Sequence, residues 1–111
     1  MPESKDTLHG TLDALILKTL SWGPRHGYAI ARWIEETTDD VLRIEEGSLY
    51  PALQRMLVQG WIAGEWGRTA DNRRARYYRI TASGKRQLER AVKSYDRVSQ
   101  AIASILSPRG A

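Results

Sequence analysis

Glu45-Glu46-Gly47-Ser48-Leu49-Tyr50-Pro51-Ala52-Leu53-Gln54-Arg55-Met56-Leu57-Val58-Gln59-Gly60 carries the punctuation of one short helix. Ser48 is of the type that caps the free N–H groups of a first turn. Pro51 sits where a helix tolerates a missing donor, and Gly60 supplies the left-handed residue that ends one. Leu49, Leu53, Met56 and Leu57 recur at helical spacing and form a face to be buried. Ser48, Tyr50, Gln54 and Arg55 point away from it. A hydroxyl, a phenol, an amide and a guanidinium are donors and acceptors that read base edges and grip phosphates. Any amphipathic helix shows a solvated polar face, however, so the surrounding chain must decide what this one is for.

On the N-terminal side, Leu8, Leu12, Leu15, Ile16 and Leu20 form a helical stripe over residues 7–20. Ser21-Trp22-Gly23-Pro24 breaks it. A second helix is expected over about residues 27–37, with Tyr28, Ile30, Ala31, Trp33 and Ile34 on its apolar side. Glu35, Glu36, Asp39 and Asp40 oppose the dipole of a helix C-terminus, so they mark the exit into a loop.

After Gly60 the period changes. Residues 61–66 and 75–80 are short aromatic and β-branched runs that read as two strands. The polar, basic stretch 67–74 between them has the composition of a hairpin tip. Tyr78 and Ile80 alternate with Tyr77 and Arg79, as a half-buried hairpin requires. Thr81 is placed to cap a last helix over residues 82–106. Leu88, Val92, Tyr95, Ile102 and Leu106 take a and d heptad positions on it, with Ser99 in the remaining one, and Val98 and Ile105 widen the stripe. So long an apolar stripe exceeds what a small domain covers. A second copy of the helix is the expected cover, the first helix of the same chain the alternative.

The 111 residues suffice for one small domain, and 41% hydrophobic with 27% charged residues is a globular composition. Residues 1–66 hold 6 basic and 10 acidic side chains, a balance of −4; residues 67–111 hold 11 and 3, a balance of +8. This asymmetry suits a region that meets a polyanion, although a basic face also serves solubility. No stretch has the length of a membrane span, and the N-terminus lacks the layout of a signal peptide. Without cysteine there is no disulfide, thiol nucleophile or thiolate metal site. A cytoplasmic location is expected. His9 and His26 stand apart with no ligand-spaced partner, so neither a metal nor a cofactor is expected. No phosphate loop, nucleophile elbow or nucleophile with an evident base appears, which argues against an enzyme.

Three helices, a two-stranded hairpin and a final helix are the order of a winged helix-turn-helix: mainly α with a small β-hairpin. Residues 1–81 form the expected DNA-binding domain and 82–111 the dimerisation helix and tail, together one compact unit. In that architecture the third helix presents its N-terminal residues to base edges; here these are Ser48, Leu49, Tyr50, Gln54 and Arg55. Arg68, Arg73, Arg74 and Arg76 are the wing's expected phosphate contacts, since the guanidinium fork grips phosphate oxygens in pairs. His26, at the start of the second helix, is placed to touch a phosphate. Trp22, Trp33, Trp61 and Trp66 each fall on an apolar pattern and read as core and strand-packing residues.

Gly47-Ser48-Leu49-Tyr50-Pro51-Ala52-Leu53 followed by Gly60-Trp61-Ile62 resembles the signature of PadR-family transcriptional regulators. The resemblance extends to His26-Gly27-Tyr28-Ala29-Ile30 and to the run from Arg73 through Gly84, and covers about residues 8 to 106. It implies a homodimeric winged-helix DNA-binding protein, usually a repressor, that dimerises through its last helix. The partner would be double-stranded DNA carrying a palindromic operator. Tyr28 and Tyr50 match family positions near DNA. The dimerisation set is then Leu88, Val92, Tyr95, Val98, Ile102, Ile105 and Leu106, with Leu8 and Leu12 of the first helix. The chain resembles the short members and ends before the extra helical region of the phenolic-acid regulators, so that sensing role is not implied. One multidrug-sensing branch has a tryptophan on the last helix, where this chain's only aromatic residue is Tyr95. A small-molecule effector between the last and first helices is a possible further partner, and the sequence identifies no polar anchor for it.

Overall fold

The computed structural model describes residues 2–107, with side chains from residue 11 onward. Among these, the elements run α1 (Pro2–Leu20), β1 (Arg25–His26), α2 (Gly27–Thr37), α3 (Glu46–Gln59), β2 (Ile62–Arg68), β3 (Arg74–Ile80) and α4 (Ala82–Leu106). The core is where the apolar faces of the first three helices meet the sheet. Ile16, Leu17 and Leu20 of α1 pack with Ile30 and Ile34 of α2 and with Leu49, Ala52, Leu53 and Met56 of α3. Ile62 and Tyr78 close it from the strands. The fold is the winged helix-turn-helix that the order of elements implied.

The bounds of α2 and α4 agree with the sequence reading, because both ends carry local signals. His26 and Thr81 are extended residues whose side chains accept from Ala29 N–H and Gly84 N–H respectively. Thr81 also donates from its hydroxyl to the Gly60 carbonyl at 2.7 Å. One threonine thus ties the end of α3 to the start of α4. Gly60 stops α3 with φ 77°, a left-handed conformation that costs glycine nothing. The acidic exit from α2 turns as expected. Asp39 and Asp40 both have positive φ, and Glu35 accepts from Ile44 N–H at 3.3 Å across the turn.

The start of α3 differs from the expectation. The helix begins at Glu46, with Glu45 as its cap residue and no side-chain cap bond, so Ser48 lies inside the first turn. The N–H groups of Ser48 and Leu49 both turn to the Glu45 carbonyl at 2.9 Å, and Glu46 puts a carboxylate at the positive end of the dipole. Those two features replace the hydroxyl. Pro51 then falls in the second turn and leaves the Gly47 carbonyl without its usual donor. Gly47 is exposed, so its carbonyl is open to solvent.

The sheet has three strands rather than two, in the order β1-β3-β2. The missed strand is only Arg25–His26, antiparallel to β3 with Arg25 opposite Tyr78 and His26 opposite Tyr77. Two residues carry no period to read. β2 pairs with β3 from Ile62↔Ile80 to Arg68↔Arg74, so the hairpin extends further than the sequence suggested and its tip shrinks to residues 69–73.

Two tryptophan assignments fail. Trp33 and Trp61 pack against the core, but Trp22 and Trp66 are 64% and 58% exposed. Each lies beneath a cation instead: Lys18 Nζ is 5.1 Å from the Trp22 ring centre, and Arg74 Cζ is 4.3 Å from that of Trp66. Trp22 lies in the break after α1, and Trp66 lies toward the tip of the hairpin; neither position reaches the interior.

On α4, Leu88 packs against the core and Ala91 is buried. Beyond that turn Val92, Tyr95, Ile102, Ile105 and Leu106 are exposed, with Val98 half-buried. Leu12 packs on the core of its own chain, and the Leu8 and His9 side chains lie outside the described ones. No helix among the described residues is long and apolar enough to cross a membrane.

Candidate nucleic-acid interface

The first turn of α2, the first turns of α3 and the outer half of the hairpin face one another across an open cleft of about 760 Å³. His26, Gly27, Tyr28, Tyr50, Trp66, Thr69, Ala70, Asp71, Arg73, Arg74, Ala75, Arg76 and Tyr78 line it. Six of the expected DNA-contact residues therefore converge: His26, Tyr28, Tyr50, Arg73, Arg74 and Arg76.

Each has a local reason for its place. His26 Nδ1 accepts from Ala29 N–H at 3.2 Å, which leaves the neutral ring's proton on Nε2. An N–H donor at a helix N-terminus is suited to an anion. The imidazole is braced by Tyr77, edge-on with ring centres 5.3 Å apart, and is stacked near Tyr28 at 6.5 Å. Tyr28 is itself 67% exposed, so it is not a core residue.

Tyr50 leans from α3 onto the start of α2. A Cβ on Gly27 would stand 2.9 Å from its ring and its hydroxyl, so any side chain there would push the phenol from this position. Burial raises the Tyr50 pKa above its ordinary 10.0, with the Glu46 carboxylate and then Tyr78 adding to the effect. The phenol therefore stays a donor at neutral pH.

The wing arginines adopt different postures. Arg73 and Arg74 are exposed, and Arg74 lies over Trp66. Arg76, opposite Trp66 in the ladder, folds back across Gly64 with its Cζ 5.8 Å from the Tyr78 ring centre. Arg68 is exposed and donates to the Asn72 carbonyl at 3.0 Å, bracing the hairpin tip outside the cleft lining.

Four sequence candidates on α3 need restating. Ser48 and Gln54 are exposed on the helix but outside the cleft lining, on surface open to a groove-sized partner. Leu49 is 1% exposed and belongs to the core, so it contacts no ligand; the spacing that put it on the buried face outweighs its place in the signature. Arg55 does not point outward with the others. Its Nη2 lies 2.6 Å from Asp13 Oδ1, and the half-exposed guanidinium is held against α1. A buried carboxylate needs a partner, and Arg55 is in reach. The residue that sequence reasoning missed is Trp66. Counting back from the hairpin tip would have set it opposite Arg76, on the cleft face. Among the described residues, no group of three or more His, Cys, Asp or Glu could hold a metal ion.

The sequence model described as "Transcriptional regulator PadR-like family" matches residues 16–90. An uncharacterised protein from Lysinibacillus sphaericus is 34% identical over 97 residues, 87% of this chain and 89% of that one. A transcriptional regulator from Clostridium thermocellum superposes with a TM-score of 0.80 at 30% identity, covering 89% of this chain and 96% of its own. A PadR-like transcriptional regulator from Bacillus cereus does so with a TM-score of 0.75 at 29% identity, over 94% and 99%.

Proposed function

Since the chain belongs to the PadR-like family of transcriptional regulators, we propose that it binds a palindromic operator as a homodimer and represses transcription there. The observation that carries this reading is the convergence of His26, Tyr28 and Tyr50 with Arg73, Arg74 and Arg76 on one cleft. Neutral donors from two helix starts and guanidinium groups from a hairpin are a set for a duplex backbone. The exposed Ser48 and Gln54 leave α3 free to address base edges in the major groove. Dimerisation is supported by the outer half of α4, where Ile102, Ile105 and Leu106 are 52%, 82% and 75% exposed within one chain. A second α4 across a two-fold axis would cover them and set two copies of α3 about one helical turn of DNA apart. A protein acting on chromosomal DNA in this way works in the cytoplasm.

The test is a selection of bound sequences from random duplex DNA, followed by titration of the selected site against salt. A palindromic consensus is expected. With ~4 phosphates neutralised per protomer, the log–log slope is about −7. A slope near zero, or a selection that enriches nothing, would overturn the proposal.

A further inference from the structure

Trp66 is a large apolar side chain left open to water on the wing, at the mouth of the cleft. Its exposure is matched by a specific arrangement of charge. In the ladder Trp66 faces Arg76, and Arg74 is the diagonal neighbour on the same sheet face. Two guanidinium groups at alternate positions of one strand repel each other and are otherwise free to swing. Here each lies against a different ring, Arg74 over Trp66 at 4.3 Å and Arg76 toward Tyr78 at 5.8 Å. The Trp66 contact is much the closer, and indole is the aromatic face that holds cations best. The guanidinium plane that results is pre-set at the cleft edge and keeps its N–H groups available, because a ring face accepts none of them in the manner of a carboxylate.

We propose that Trp66 is a positioning residue for DNA, holding the Arg74 guanidinium over its indole so that it meets a backbone phosphate with little further ordering. The role rests on the DNA-binding reading above. Arginine has many rotamers to lose on binding, and a side chain already confined loses fewer. Sparing part of the ordering cost of one long side chain is worth about two- to fivefold in affinity. It is independent of sequence, since a phosphate contact carries no base information.

The full chain is titrated into a fluorescent random-sequence duplex at low salt, as wild type, Trp66→Ala, Trp66→Phe, Arg74→Ala and the Trp66→Ala/Arg74→Ala double variant. Thermal unfolding of each is followed by circular dichroism. Trp66→Ala should weaken binding about two- to fivefold, and Trp66→Phe should recover most of the loss. The double variant should bind no more weakly than Arg74→Ala alone, because Trp66 acts through Arg74. A purely structural Trp66 would instead give additive losses that track the melting temperature. A second readout needs no DNA: indole emission, taken as wild type minus Trp66→Phe, should shift when Arg74 is removed. Additive losses, no recovery by Phe, or an unchanged emission difference would each overturn the role while leaving DNA binding intact. Wild-type protein that binds no duplex would overturn the DNA-binding reading and this role together.

Discussion

Arg55 Nη2 lies 2.6 Å from Asp13 Oδ1, bridging α3 to α1 across forty-two positions of sequence. The Asp13 side chain is 8% exposed and that of Arg55 39%. A carboxylate so deeply placed is costly to leave with one partner fewer, whereas the guanidinium end is partly screened by water. Arg55→Ala is therefore expected to destabilise the fold by about 1–2 kcal/mol, below the roughly 3–5 kcal/mol of a fully buried pair, because Arg55 is part-exposed and Asp13 keeps a further interaction. Urea denaturation measures this directly. A variant as stable as wild type but weaker on DNA would mean that Arg55 serves the ligand and not the fold.

Tyr50 joins packing to chemistry. Tyr50→Phe keeps the ring against Gly27 and removes the hydroxyl, so affinity should fall by about 1 kcal/mol, roughly fivefold, with little change in melting temperature. Gly27→Ala places a methyl group 2.9 Å from the ring and its oxygen. Binding should suffer more than stability, since the part-exposed phenol must swing aside from the cleft to admit it.

The pH dependence of Tyr50 has a definite sign. Burial, helped by Glu46 and Tyr78, raises its pKa in the folded protein above 10.0. Folding thus favours the neutral phenol. That contribution to stability is fully present below the ordinary tyrosine value and is lost as pH rises through the folded one. A tyrosinate absorbance titration of wild type against Tyr50→Phe should show the missing phenol ionising above its ordinary range. Ionisation at or below that range would contradict the environment described.

Gln54 and the Arg73–Arg74 pair should separate specificity from affinity. Gln54→Ala is expected to change which operator is preferred, because a carboxamide pairs in bidentate fashion with adenine and is worth about 1–3 kcal/mol at that base pair. Arg73→Ala with Arg74→Ala should weaken all sequences alike and reduce the salt slope by about one unit for each phosphate no longer neutralised. Parallel selections from random DNA and salt titrations on both variants distinguish the outcomes. An unchanged preference profile for Gln54→Ala would remove it from base readout.

The exposed stripe of α4 predicts an assembly. Ile105→Glu, at the most exposed large apolar side chain among the described residues, should yield monomers in sedimentation while the circular dichroism spectrum is retained. Association that survives this charge would place the interface on another face.

Much of this protein is written in its sequence through local signals. The stops and starts at Gly60, Thr81 and Gly27 depend on a neighbour's N–H, on a left-handed φ or on a change of period, all settled within a few residues. The charge imbalance and the arginines of the hairpin were equally plain. Tertiary structure decided the rest. Helical spacing alone parts Leu49 from Tyr50, since the helix turns about 100° between them; only the fold brings the start of α2 and the hairpin around Tyr50 to make its side a cleft. Arg55 looked like part of the reading face until Asp13 was found beside it, and β1 exists only because β3 is there to pair with it. Trp66 has the composition of a core residue; that it stands in water beneath Arg74 depends on the hairpin's register and on how far its tip reaches beyond the helices. The physical division is one of range. Backbone propensity and capping act within a turn of chain, while burial and charge pairing depend on which distant segments the fold brings together.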